Sequence, residues 1–235
     1  MSKDIETILI TGASGHIGQS LVTKYLDQGF CVVGVSHRNP IKPVKNLTSI
    51  VEDLSQHEAG SRIIKKAIAA YGRIDFIINN AARQDVALIE NEKSQSILEI
   101  FQVNVSSIAL MYAEIAKNSY GVQSIVNISS IEAGNARSGH GVYGASKAAL
   151  EALTKSAAQE LAPIRSNALR LGLIEREGIA NAWPAGVTAW EESAPLGRMG
   201  TITDVLAATD FLLKAPWITG TVLTLDGGMS AVTNW

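Results

Sequence analysis

The chain has 235 residues, 46% of them hydrophobic and 18% charged, with a formal net charge of −2. That length and composition suit one globular domain spanning 1–235, and neither a lysine/arginine cluster that runs with aromatics nor an apolar run of bilayer length is evident, so nucleic acid and membrane are not expected as partners. His16, His37, His57 and His140 stand apart without a second ligand at metal-binding spacing, residues 1–7 carry charges of both signs with no apolar signal core, and Cys31 is the only cysteine, placed in an apolar run where a buried thiol is expected. A cytoplasmic protein with neither metal site nor disulfide is the expectation.

In chain order, residues 7–11 form a β-branched run that breaks into Gly12, Ser14, Gly15, His16, Ile17 and Gly18, after which Leu21, Val22, Tyr25 and Leu26 recur at helical spacing. A strand, a glycine turn and a helix in that order let backbone N–H groups approach a pyrophosphate, at the positive end of the helix. The next strand, 31–35, ends in Ser36, His37 and Arg38, about where a dinucleotide fold meets the adenosine ribose, and no acidic residue stands there. Residues 49–53 read as a third strand, 61–71 as a helix and 74–78 as a buried fourth strand followed by Asn79, Asn80, Ala81 and Ala82. Asparagines at a strand end tie neighbouring backbones or meet a ligand, and both readings stand open. Residues 97–117 read as one long amphipathic helix, with Phe101, Val105, Ile108 and Tyr112 on one side and Asn104 as an internal polar residue that needs a partner.

Residues 124–129 read as a buried strand that places Ser130 at its carboxyl end, where ligands bind in open α/β sheets. If a helix opens at Gly141, Tyr143 and Lys147 project from one face, and an ammonium there is expected to lower the phenol by about 1–3 units. Ala145, Ala148, Ala149, Ala152 and Ala157 make a small-residue face on the other side of that helix, suited to close packing against a second subunit. A sixth strand at 167–171, a poorly periodic and lid-like connection over 172–195, a helix at 203–213 and a strand at 221–225 complete the pattern. The alternation implies an α/β fold, a doubly wound parallel sheet of about seven strands with helices on both faces.

With these residues in hand, the chain resembles the short-chain dehydrogenase/reductase family over nearly its full length, in the compact single-domain branch with a Rossmann-like fold. The resemblance is carried by the glycine turn Thr11 to Gly18, by Asn79-Asn80-Ala81, by Asn104, Ser130 and the Tyr143/Lys147 pair, and by Leu225-Asp226-Gly227-Gly228. It implies that Tyr143 is the acid/base, that Ser130 anchors the carbonyl, and that Lys147 binds the ribose and tunes Tyr143. Asn104 would hold a relay water. The implied cofactor contacts are Gly12, Ser14, Gly15, His16, Ile17, Gly18, Ser36, His37, Arg38, Asp53, Leu54, Asn80, Ala81, Tyr143, Lys147 and Gly172. Three departures from the family pattern stand out: the glycine spacing T-G-x-x-G-x-x-G, Ala82 in place of a glycine, and Leu171-Gly172 with Arg176 where Pro-Gly and a threonine are usual.

The resulting expectation is an oxidoreductase that moves a hydride between a nicotinamide and a small alcohol or ketone, working as a homodimer or homotetramer. A non-catalytic dinucleotide-binding sensor is the alternative. NADP(H) is favoured over NAD(H), because Ser36, His37 and Arg38 suit a 2′-phosphate better than a ribose hydroxyl. Glu175, Glu177, Glu191 and Glu192, set against Arg176 alone, lead to the expectation that the 173–195 substrate loop repels anionic and carrier-bound substrates.

Overall fold

Parallel strands covered by helices on both faces need side chains that are apolar in both directions, and the chain supplies them: all five residues of β1 (Thr7–Thr11) are buried, as are Ile77 and Ile78 in β4 (Phe76–Asn79). The computed structural model describes residues 5–232; Met1 to Asp4, part of the charged N-terminal stretch, lie outside it. β1 and β4 join β2 (Cys31–Ser36), β3 (Leu47–Val51), β5 (Ser124–Ser130), β6 (Arg165–Leu171) and β7 (Val222–Leu225) in one parallel sheet of order β3-β2-β1-β4-β5-β6-β7. Strand order reverses between β1 and β4, which opens a crevice at their carboxyl ends.

Successive side chains of a strand point to opposite faces, so Leu9 enters one core while Ile8 and Ile10 enter the other. On the Leu9 side, Ile63 and Ile64 of α2 (Ala59–Tyr71), Ile108 and Met111 of α4 (Ser107–Lys117) and Leu150 of α5 (Gly141–Glu160) pack on the sheet. The opposite face takes Leu21 and Tyr25 of α1 (His16–Asp27) and Leu212 of α8 (Ile202–Lys214). Thr201 and Asp204 form a reciprocal capping box that starts α8 at Ile202.

Four expectations change. The helix read as continuous over 97–117 is α3 (Ser94–Phe101), a π-helical turn (Gln102–Ser106) and then α4, and Asn104 sits at the centre of that turn. Together Ser94–Lys117 is long and apolar enough to cross a membrane by composition, but α4 packs on α2 and α3 on α5. The 173–195 connection is not a loop: it holds α6 (Ile179–Ala182) and α7 (Pro184–Ser193), each too short for periodicity to reveal, with proline at the first turn of α7. Cys31 is only partly buried, because it starts its strand at the edge of the core. Ala157 lies on the buried side of α5, so the exposed or half-exposed alanine face comprises Ala145, Ala148, Ala149 and Ala152 only.

Candidate active site

The crevice begins at the end of β1. Gly12 has a φ of +65°, and a Cβ there would lie 2.9 Å from the Ala81 Cα; a Cβ on Gly18 would lie 2.1 Å from the Gly12 carbonyl oxygen. Both glycines are therefore required by the close approach of α1 and the 80–81 segment to the turn. Gly15 has only the Gly12 oxygen nearby, at 3.4 Å, and no side chain caps α1. A cradle of bare backbone before an uncapped helix start fits a dinucleotide pyrophosphate. Ser14 uses its carbonyl to accept from Gln19 Nε2, and Ile17 lines the crevice.

The asparagines resolve into braces. Asn80 donates from Nδ2 to the carbonyls of Thr11 and Gly12, while the N–H groups of Asn80 and Ala81 both donate to Thr11 Oγ1. Asn79 Nδ2 donates to Asn127 Oδ1 (2.8 Å), and Asn127 Nδ2 donates in turn to Tyr112 and Thr154. For Asn79 the structural reading holds; Asn80 both braces the turn and lines the crevice.

At the ribose end Ser36 is turned toward the chain. Its side chain is buried and its hydroxyl donates to the Asn39 carbonyl at 2.6 Å, so that proton is not offered to a phosphate. His37 stands 3.5 Å from Asp53 Oδ2, Asp53 Oδ1 accepts from Ser55 N–H, and Leu54 is buried in the core. Arg38 is exposed. His16 reaches across to the far wall, where its Nε2 meets the Glu175 carbonyl at 2.9 Å.

The floor of the cleft, about 1070 Å³ in volume, is formed where β5 hands over to α5. Ser130 ends β5 and Tyr143 and Lys147 face the same space from the first turns of α5, as the four-residue spacing predicts. Lys147 is 2% exposed; its Nζ donates to the Ile128 carbonyl at 2.7 Å and lies 5.7 Å from the centre of the Tyr143 ring. Burial brings Lys147 down to about 8, with Glu151 pulling the other way. Glu151 is itself held by Arg170 and by Ser129 Oγ.

Tyr143 corrects the expectation of a lowered phenol. Burial, then the nearby Glu132 carboxylate, push it up to about 12, and only the Ser130 hydroxyl acts in the opposite direction. Desolvation of the buried ring is the largest of these effects. Asn104 is fully buried, and its side chain is used entirely by the protein: Oδ1 accepts from Arg83 N–H, and Nδ2 donates to the Arg83 carbonyl and to Ser146 Oγ. A water held at this position would rest on backbone.

The far wall is Leu171, Gly172, Leu173, Ile174 and Arg176, with Trp183 and Trp190 above them. A Cβ on Gly172 would meet the Trp190 ring at 2.7 Å, so glycine there lets α7 close over the cleft. Glu175, Glu177, Glu191 and Glu192 are exposed and do not line the cleft; the charges that do are Glu132, Arg137, Arg176 and Lys147. Glu132, Arg137 and His140 escaped the sequence reading. Their only signal is position, between Ser130 and Tyr143.

A family model described as enoyl-(acyl carrier protein) reductase matches residues 12–230. An uncharacterized oxidoreductase of Methylorubrum extorquens is 30% identical over 247 residues, covering 97% of this chain and 100% of that protein. Among solved structures, 4-hydroxyisoleucine dehydrogenase complexed with NADH superposes with a TM-score of 0.89 at 26% identity, covering 97% of this chain and 100% of that one. ElxO with NADP bound gives 0.84 at 26% identity and the same coverage. Relatives thus carry either dinucleotide on this fold. The chain belongs to the short-chain dehydrogenase/reductase family and is an NAD(P)-dependent oxidoreductase acting on CH–OH or C=O groups.

Proposed function

We propose that the protein interconverts a small ketone and its alcohol with NADP(H), using Tyr143 as proton donor and acceptor. The observation that carries this is the convergence of Ser130, Tyr143 and the buried Lys147 ammonium on one cleft floor. The bound nicotinamide supplies or accepts the hydride at the carbonyl carbon. Ser130 Oγ holds the carbonyl oxygen, the Tyr143 O–H bond breaks as its proton passes to that oxygen, and Lys147 stabilises the phenolate left behind. Lys147 also binds the cofactor ribose, and the π-turn at Asn104 supplies backbone for a relay water. A non-catalytic sensor has no use for an ammonium buried beneath a phenol, a costly arrangement that proton transfer explains. Assays of ketone reduction and alcohol oxidation with both dinucleotides test the reading; no turnover over a broad panel would refute it.

The preference for NADP(H) rests on Arg38 and His37 at the end of β2, since Ser36 is occupied by Asn39. Arg38→Ala is expected to raise the KM for NADPH about tenfold or more while changing that for NADH little, because only the former brings a 2′-phosphate to the guanidinium. Equal losses for both dinucleotides would show that Arg38 does not read the phosphate.

The small, uncharged substrate is supported by the apolar far wall of Leu171, Leu173, Ile174 and Trp190 and by a floor on which Glu132 offsets Arg137. Efficient reduction of an acyl-carrier or coenzyme A thioester would overturn that choice. The reading includes a cytoplasmic homodimer or homotetramer, with the alanine face of α5 and the exposed Leu98 of α3 supplying contact surface. Ala149→Arg is expected to shift the protein toward monomer in light scattering, since close-packed small-residue faces tolerate bulk poorly. A monomeric wild type would end this part of the proposal.

A further inference from the structure

Glu132 is placed by the same contacts that place the proposed proton donor. Its N–H donates to Ser130 Oγ at 3.3 Å, and its carbonyl lies where a Cβ on Gly144 would approach to 2.5 Å, so the glycine lets the first turn of α5 rest on the Ile131–Ala133 turn. The backbone of Glu132 is thus pinned between Ser130 and the first turn of α5, and its carboxylate lines the same cleft as Tyr143. Its side chain is 11% exposed, Oε1 accepts from Arg137 Nη1 at 3.3 Å, and Oε2 is buried without a direct hydrogen bond, 3.2 Å from His140 Nδ1. His140 is 7% exposed, and the same ring nitrogen meets Gln84 Nε2 at 2.9 Å. Trp183 stacks on Arg137, with 4.5 Å between the guanidinium carbon and the ring centre. The start of the 20-residue α5 favours negative charge at this place.

The charged and titratable groups facing Tyr143 are therefore few. Lys147 comes from its own helix, Glu132 from the turn after β5, Arg137 and His140 from the segment before α5, and Arg176 from the far wall. An ammonium near a phenol favours phenolate, and a buried carboxylate in the same cleft does the reverse.

Building on the reading of Tyr143 as proton donor, we propose that Glu132, held by Arg137, is a positioning residue that keeps the Tyr143 proton in place against Lys147 and so fits the site for carbonyl reduction, leaving alcohol oxidation to alkaline conditions. The raised phenol agrees with this geometry.

The test needs no substrate. In cofactor-free protein carrying ring-¹³C tyrosine, with the Tyr143 resonance assigned by Tyr143→Phe, the wild type is expected to keep Tyr143 as phenol up to the alkaline limit of folding. Glu132→Gln is expected to ionise about one pH unit or more earlier. Glu132→Asp retains the charge and is expected to follow the wild type. The proposal falls if Tyr143 in Glu132→Gln does not ionise over the range in which that variant stays folded, or if the Gln and Asp variants shift equally, since packing rather than charge would then be responsible. Failure of the proton-donor reading has a separate signature, retained turnover in Tyr143→Phe.

Discussion

Tyr143→Phe is expected to lose turnover by about a hundredfold or more while binding NADPH almost as well as the wild type. The substitution deletes one oxygen and keeps the ring, which is mostly buried above Lys147 Nζ, so the floor of the cleft retains its shape. What disappears is the proton that must reach the substrate oxygen as the hydride reaches carbon. The sign of the pH dependence follows from the raised phenol. Reduction uses the protonated form and stays level until the pH approaches the elevated value; oxidation uses the phenolate and climbs as pH rises toward it. Steady-state rates in both directions, together with a cofactor titration, check this. Near-normal turnover by the phenylalanine variant would sink the tyrosine mechanism.

What was legible in the sequence is what local chemistry dictates. Seven apolar runs separated by helical periodicity require a parallel sheet, and the glycine turn at Gly12 to Gly18 announces itself because no other residue survives a contact of 2.1 Å with a backbone oxygen. The Tyr143/Lys147 pair was legible for the same reason, since spacing on a helix is geometry. What was not legible depends on partners distant in the chain. Ser36 looks free until Asn39 folds back over it, and Asn104 looks available until Arg83, 21 residues earlier, takes both ends of its amide. The state of Tyr143 was misjudged because a sequence displays the ammonium four residues on but not the burial of the ring, and here burial is the larger effect. Likewise the glutamates of 173–195 count as acidic in a sequence wherever they point, and in the fold they point outward.

Lys147→Met is expected to abolish most activity and yet to stabilise the cofactor-free protein by about 1–2 kcal/mol near neutral pH. Lys147 is buried, which is why it falls from 10.5 to about 8, and among the described residues its ammonium donates to one backbone carbonyl, that of Ile128. A base whose folded value lies below its unfolded value destabilises the fold wherever both states are charged. That penalty is therefore complete below about pH 8, shrinks from there to about pH 10.5, where the folded lysine is neutral and the unfolded one still charged, and vanishes above about pH 10.5. The shift alone corresponds to about 3 kcal/mol, and loss of the donor to Ile128 returns about 1 kcal/mol of it. Methionine suits the comparison because it fills the volume of the lysine stem, whereas alanine would add a cavity of its own. Denaturant midpoints should therefore favour the methionine variant near neutral pH and converge with the wild type at about pH 10. Cofactor affinity should fall as well, because the fold keeps this lysine charged against its own stability only if the ribose and the phenolate both use it. A variant that is less stable than wild type at neutral pH would show that the ammonium is compensated by the protein itself, and unchanged NADPH affinity would remove its role at the ribose.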